Sequence, residues 1–304
     1  MGLRVAVVGH VEWTTIVQVR RFPGVGEICA AETVWEGAAG GGAVAAVRMA
    51  ALNGECTFFT RLGSDDPGEQ SRRRLAALGV RVHAVPAGVP TSRAMSVLDP
   101  SGERTTFTVG ARAQPYGSDP LPWPELAGFD AVYFTAGDVA ALRLARRARV
   151  LVATLRELST VAAAGVPMDG LIGSECDPAE VYRPLDEIPG LLVRTAGDRG
   201  GEFVTAAGRR GRYPACAPPA APVDSYGIGD NFAASLTVAL ATGRDPWTAL
   251  RAAAVDGAVC VSTRGPYRQV LMASSQVPNP GSDAADQPSA VQSGPGQPDR
   301  PAMA

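Results

Sequence analysis

Short apolar runs alternate with alanine-rich stretches along most of this chain, and that rhythm constrains its fold more than any other feature. Residues 4–9 (RVAVVG) are β-branched, apolar and closed by a glycine, the pattern of a strand buried on both faces. Gly40-Gly41-Gly42 then opens an alanine-rich helix to about Leu52. A strand from Cys56 to Thr60, a helix from Pro67 to Leu78 and a strand from Val80 to Val85 follow. The rhythm resumes with apolar runs at 131–134, 150–153, 170–173 and 190–195, a hairpin around Gly208, and helices at about 230–242 and 246–263. Parallel strands need long crossovers and antiparallel ones do not, so this spacing predicts an α/β fold. Its centre is a mostly parallel sheet with helices on both faces.

Four segments fall outside that rhythm. Residues 14–20 and 28–35 are shorter, more polar and alternating, and read as exposed strands. Residues 93–98 and 104–109 flank the turn Asp99-Pro100-Ser101-Gly102 and read as a hairpin. Together they predict a small β-sheet lid built from about 11–38 and 91–110, within one domain over 1–271. From 272 to 304 the chain is rich in Pro, Ser, Gly and Gln and poor in large apolar residues. Such a tail buries too little to offset its ordering entropy and is expected to be disordered.

Composition removes several functional classes. A net charge of −2 gives no electrostatic footprint for nucleic acid or an anionic membrane. The start MGLRVAVVGH reads as a first strand and not a signal peptide, and no apolar run is long enough to span a bilayer. A cytoplasmic protein is therefore expected. The five cysteines form no C-x-x-C pair and are expected to be buried or half-buried free thiols. With two histidines, a His/Cys zinc site is disfavoured. All 28 basic residues are arginine, which excludes a Walker A loop, a protein kinase of the usual plan and a Schiff-base enzyme. Any phosphate site must rest on backbone N–H groups, arginine and metal.

The segment with most chemistry is Val223-Asp224-Ser225-Tyr226-Gly227-Ile228-Gly229-Asp230-Asn231-Phe232. Its glycines allow a tight turn, and the helix after it begins with unpaired N–H groups that suit an anion. Asp230 stands at that mouth, where a carboxylate repels phosphate but suits removal of a proton from an attacking hydroxyl. Taken alone, the same residues also describe an ordinary loop with Asp230 capping a helix.

The segment resembles the C-terminal signature, roughly D-T-x-G-A-G-D-x-F, of the ribokinase-like (PfkB) carbohydrate kinases. Further likenesses follow in family order over about residues 4–268: the glycines at 40–42, Gly63-Ser64-Asp65-Asp66-Pro67-Gly68, and the lid hairpin with S-G-E-R-T at 101–105. Ser174 to Glu180 is similar to an N-x-x-E motif with Asp177 in the Asn place. Thr195-Ala196-Gly197-Asp198-Arg199-Gly200 is similar to a T-x-G-x-x-G nucleotide loop. The resemblance implies transfer of a phosphoryl group from ATP to a hydroxyl of a sugar or sugar-like molecule, with Asp230 as catalytic base and Gly227, Ile228 and Gly229 as anion hole. It implies a nucleotide site at Asp177, Glu180, Thr195, Gly197 and Gly200. It implies Mg²⁺ held by Glu180 through water, a monovalent cation as a further cofactor, and a homodimer through the lid. The acceptor site would take Glu12, Thr14, Gly40, Gly41 and Gly42 together with Asp230.

Two departures fall in that acceptor site. Thr14 stands where the family carries an Asp that clamps two sugar hydroxyls, and Val44 stands where an Asn is common. Glu12 is either a substitute for the missing carboxylate or a solvated lid residue. Trp13 and Trp35 either stack on a ring or cover apolar surface. The alternatives to a sugar kinase are a nucleoside kinase on the same scaffold and a nucleotide- or sugar-binding regulatory protein without turnover.

Overall fold

The computed structural model describes residues 2–267, so the tail expected at 272–304 lies outside the described residues. A nine-stranded sheet forms the centre. Its strands are β1 (Val5–Val8), β4 (Cys56–Leu62), β5 (Val80–Pro86), β8 (Ala131–Phe134), β9 (Val150–Thr154), β10 (Gly170–Ser174), β11 (Leu191–Thr195), β12 (Gly201–Thr205) and β13 (Arg210–Tyr213). The order across it is β13-β12-β11-β10-β9-β8-β1-β4-β5. The pairs from β11 through to β5 are parallel, and β12 and β13 add an antiparallel edge after a short hairpin. Strands β1 and β8 are buried along their whole length. Helices cover both faces, which is why these strands read as continuous apolar runs.

One face carries α1 (Gly41–Asn53), α5 (Ile228–Ala241) and α6 (Pro246–Val261), whose alanines let the helices and sheet approach closely around Phe58, Met49 and Leu236. The opposite core gathers Phe59, Trp123, Leu126, Phe134 and Leu151 under α3 (Val139–Ala145) and α4 (Leu158–Ala164). Phe59 and Trp123 stack with ring centroids 5.4 Å apart. Helix α2 (Asp66–Ala77) is started by Asp65, whose carboxylate accepts from the Gly68 amide at 3.1 Å and from Thr91. Capping therefore accounts for the acidic pair at 65–66.

The four outlying segments form a separate sheet in the order β3-β2-β6-β7, with β2 (Glu12–Gln18), β3 (Thr33–Ala39), β6 (Arg93–Leu98) and β7 (Arg104–Val109). β2–β3 and β6–β7 are antiparallel, and β2 and β6 run parallel. Two expectations shift here. β2 is partly buried rather than exposed, because Ile16 packs into the main core. The strand expected at 28–35 begins only at Thr33, and Ile28 is fully exposed. The cysteine expectation also needs correction. All five are free, but Cys29 and Cys176 are exposed and Cys56 and Cys260 alone are buried.

Candidate active site

The direction of strand order reverses at β1: β4 and β5 lie on one side, and β8, β9, β10 and β11 on the other. Open α/β sheets bind ligands in the crevice beyond the carboxyl ends of their strands at such a switch point. The chain emerging from β1 there carries His10 and Glu12. The chain leaving β9 carries Arg156 and Glu157, and that leaving β10 carries Asp177 and Glu180. Helix α5 points its N-terminus into the same region.

The turn into α5 is built by its glycines. Gly227 is the N-cap residue at φ +81°, and a Cβ there would stand 2.9 Å from Pro266 Cβ and 3.2 Å from Val44 Cγ1. No side chain caps this helix, and Asp230 lies inside the first turn. The capping explanation of Asp230 is thereby corrected: the N-cap position falls on Gly227. The first intrahelical donor is Asn231, to Gly227 O at 3.0 Å, which leaves the amides of Ile228, Gly229 and Asp230 without helical acceptors. Gly229 meets nothing within 4 Å of where a Cβ would be, so its backbone is open to an approaching ligand. Asp224 holds the loop from below, accepting from Tyr226 N and Gly265 N at 2.8 Å each.

The glycine run at 40–42 faces this turn. A Cβ on Gly41 would lie 2.9 Å from Asp230 Oδ1, so only glycine leaves the carboxylate accessible from that side. Gly40, at φ +83°, donates its N–H to the Tyr226 hydroxyl at 3.1 Å. That hydroxyl also lies 3.4 Å from Thr14 Oγ1, and Thr14 is fully buried. Glu12 is buried beside them, so the solvated-lid description does not fit it.

Charges in the cleft are mutually dependent. Burial pushes the Asp230 carboxyl up to about 6; Arg104 opposes the rise, Glu180 adds to it and Arg156 opposes it. Glu12 is raised first by burial, with Arg112 opposing and Asp230 adding. Glu180 is raised by burial against the Ser174 amide and Arg156. His10 is driven down to about 3 by burial and by Arg112 and Arg156, so it is neutral at physiological pH, and its Nδ1 has no partner among the described residues. A half-open carboxylate of pKa near 6, set among unpaired amides, is suited to accept a proton close to neutral pH.

The residues expected to form a nucleotide site gather at the ends of β10 and β11. Glu180 accepts from Ser174 N at 2.6 Å and pairs with Arg156 Nε at 2.9 Å, and Asp177 pairs with the same guanidinium. Gly197 and Gly200 take φ of +61° and +81°, and a Cβ on Gly200 would lie 2.0 Å from Tyr213 O. Thr195 ends β11 with its hydroxyl 3.5 Å from Gly173 O. No cluster of three metal-ligating side chains occurs among the described residues. Two carboxylates without a third ligand would suit only a cation that keeps most of its waters, not a closed protein cage.

The pfkB family carbohydrate kinase profile matches residues 3–172 and 141–271. The chain belongs to that family. It is thus a carbohydrate kinase, a phosphotransferase. A ribokinase of Arabidopsis thaliana is 26% identical over 297 residues, covering 85% of this chain and 76% of the relative. The solved structure of Arabidopsis thaliana ribokinase with ribose and ATP superposes with a TM-score of 0.67 at 21% identity, over 90% of this chain and 98% of that one. A probable sugar kinase from Rhizobium etli gives a TM-score of 0.72 at 18% identity, over 90% and 99% of the two chains. No helix among the described residues is long and apolar enough to cross a membrane.

Sequence reasoning left out several residues that line this cleft. Tyr226 was quoted only as a variable position. Arg112 and Arg156 belong to no motif, and Arg104 enters only as part of S-G-E-R-T at 101–105, although arginine is the one basic side chain this chain has for a phosphate. Arg156 follows β9 directly, and that position at the carboxyl edge of the sheet was the available signal. Trp13 points away from the cleft. Strand alternation sends it opposite to Glu12 and Thr14, its indole donates to Glu36 at 2.5 Å, and Arg74 covers its ring at 4.7 Å. Trp35 packs edge-on to Tyr267 with ring centroids 6.1 Å apart.

Proposed function

We propose that the chain transfers the γ-phosphoryl group of ATP to a hydroxyl of a sugar or sugar-like acceptor, with Asp230 as catalytic base. The observation that carries this reading is the raised carboxyl of Asp230, facing Gly41 across a narrow gap and lying in the first turn of α5. The acceptor hydroxyl approaches Asp230 alongside Gly41, where the absence of a side chain leaves the carboxylate accessible, and Glu12 accepts from a second hydroxyl. Asp230 takes the proton as the hydroxyl oxygen attacks phosphorus. The amides of the 227–230 turn, including Gly227, Ile228 and Gly229, receive charge on the moving phosphoryl group. Backbone donors already in place cost no reorganisation at that moment.

The nucleotide lies along Thr195, Gly197 and Gly200, with Asp177 and Glu180 at its phosphate end. Glu180 and Asp177 would hold Mg²⁺ through water, and the ion would supply positive charge against the phosphates. Arg156 keeps those two carboxylates together. A monovalent cation and a homodimer through the small sheet belong to the same reading by family likeness. Sugars are favoured over nucleosides because the acceptor end is lined by the carboxylates of Glu12 and Asp230, and Trp13 offers no free ring there.

The decisive assay is ADP release against a panel of pentoses, hexoses and nucleosides. Acceptor-dependent turnover is expected with at least one sugar. Its kcat/KM should fall as pH drops through about 6, because a raised acid must lose its proton before it acts as base. Acceptor-independent ADP release across the whole panel would refute the sugar-acceptor reading.

A further inference from the structure

The two halves of this site come from opposite ends of the chain, and one side chain joins them. Tyr226 belongs to the segment that leads into the anion-binding turn. Its backbone is fixed from below by Asp224, and its carbonyl accepts from the Cys260 thiol at 3.6 Å. Its ring then extends across to the acceptor side, where the hydroxyl accepts from Gly40 N–H at 3.1 Å and meets Thr14 Oγ1 at 3.4 Å. Both Gly40 and Thr14 are buried, and so is Tyr226. The Gly40 amide has no other acceptor among the described residues.

This arrangement bears on the missing acceptor carboxylate. Thr14 is fully buried, and its hydroxyl is turned to Tyr226 and to Glu12 O at 3.5 Å. It supports Tyr226 and presents nothing directly to a ligand. Gly40 is the residue before Gly41, and Gly41 sets the gap in front of Asp230. The hydrogen bond from Gly40 therefore holds one wall of that gap at a fixed distance from the turn that forms the other wall.

We propose that Tyr226 is a positioning residue: its hydroxyl locks the Gly40–Gly41 turn to the Gly227–Asp230 turn, so that phosphate binding at the second orders the acceptor wall at the first. The proposal rests on the kinase reading above, because ATP must occupy the 227–230 turn for the coupling to be used. The neighbouring segment is held from its other side as well. Ser225 N donates to Gly102 O at 3.1 Å, and Arg104 donates to Ser225 O at 2.6 Å, so the β6–β7 hairpin braces the same loop. Tyr226 is the link that continues this bracing to the glycines over Asp230. A buried N–H deprived of its acceptor keeps its full desolvation cost, so the loss of one hydroxyl is felt at Gly40 even though the phenyl ring still fills the space.

The test is amide hydrogen exchange on the full chain, wild type and Tyr226→Phe, with and without MgATP. Peptides covering 36–44 and 224–232 are followed. Without nucleotide, the variant should exchange about tenfold faster at 36–44. In wild type, MgATP should slow exchange in both segments. In Tyr226→Phe it should still slow 224–232 but leave 36–44 close to its nucleotide-free rate. Equal transmission to 36–44 in both proteins overturns the proposal and leaves the kinase reading intact. So does protection confined to 224–232 in wild type, which needs no variant at all. If MgATP protects neither segment of wild type, the placement of the nucleotide phosphates at the 227–230 turn fails and the proposal falls with it.

Discussion

Replacing Asp230 by Asn should make the protein more stable and nearly inactive at once. The folded carboxyl titrates at about 6 against an ordinary value of 3.8, and burial is the main cause. The native state therefore binds more protons than the unfolded chain across that window, and wild-type stability falls as pH rises through it. At 1.36 kcal/mol per pKa unit, the charged group costs about 3 kcal/mol above pH 6. Asn has nearly the same shape and carries no charge. Since no side chain caps α5, the substitution removes no cap. The variant's advantage should be about 3 kcal/mol at pH 7, or roughly 6–10 °C in Tm, and close to zero at pH 4. Turnover should fall by about 10²–10⁴, the usual worth of a positioned general base. Urea unfolding of both proteins at pH 4, 5, 6 and 7 measures the first quantity, and ADP release on the best acceptor measures the second. An advantage that is absent at pH 7, or that grows toward pH 4, refutes the electrostatic argument. Retained turnover refutes the role of Asp230 as base.

Three other substitutions separate the parts of the molecule. Arg48→Met should cost about 3–5 kcal/mol in urea unfolding, because it strands a nearly buried Asp256 that Arg48 and Ser235 hold between α1, α5 and α6. Glu180→Gln should raise the Mg²⁺ concentration needed for half-maximal turnover while changing the ATP dissociation constant far less, as checked by Mg²⁺ titration of activity beside nucleotide binding. Glu12→Ala should weaken acceptor binding by roughly ten- to a hundred-fold and spare ATP binding, since a hydrogen bond to a charged group is worth about 1.5–3 kcal/mol.

What the sequence disclosed follows from the range of the interactions involved. Strands 93–98, 104–109 and 131–134 fall on the residues expected of them, because the first two flank one strong turn signal and the third is a continuous apolar run. Helices α3 and α4 escaped notice. Each has seven residues, too few for a hydrophobic period to register, although the parallel strands on either side required crossovers there. Strand β3 was placed too early because Val25 and Ile28 are apolar yet exposed. Its true end, Gly37-Ala38-Ala39, has little strand propensity and is held by pairing with Glu12 to Thr14 and by burial against α1.

The same distinction divides the candidate site. The 227–230 turn was legible because glycine spacing, the following helix and Asp230 all lie within a few residues. The acceptor end was not, because its wall is assembled from contacts such as Tyr226 to Gly40, which are 186 residues apart, and Arg112 to Glu157, which are 45 apart. A local motif fixes what the phosphoryl end can do, since backbone amides serve any phosphate. Acceptor choice depends on side chains brought together by the whole topology, so Thr14 looked in sequence like the loss of a sugar clamp. In the fold it is the buried support of a tyrosine that no spacing rule points to, and the second carboxylate buried at that end, raised in part by the charge of Asp230, is Glu12.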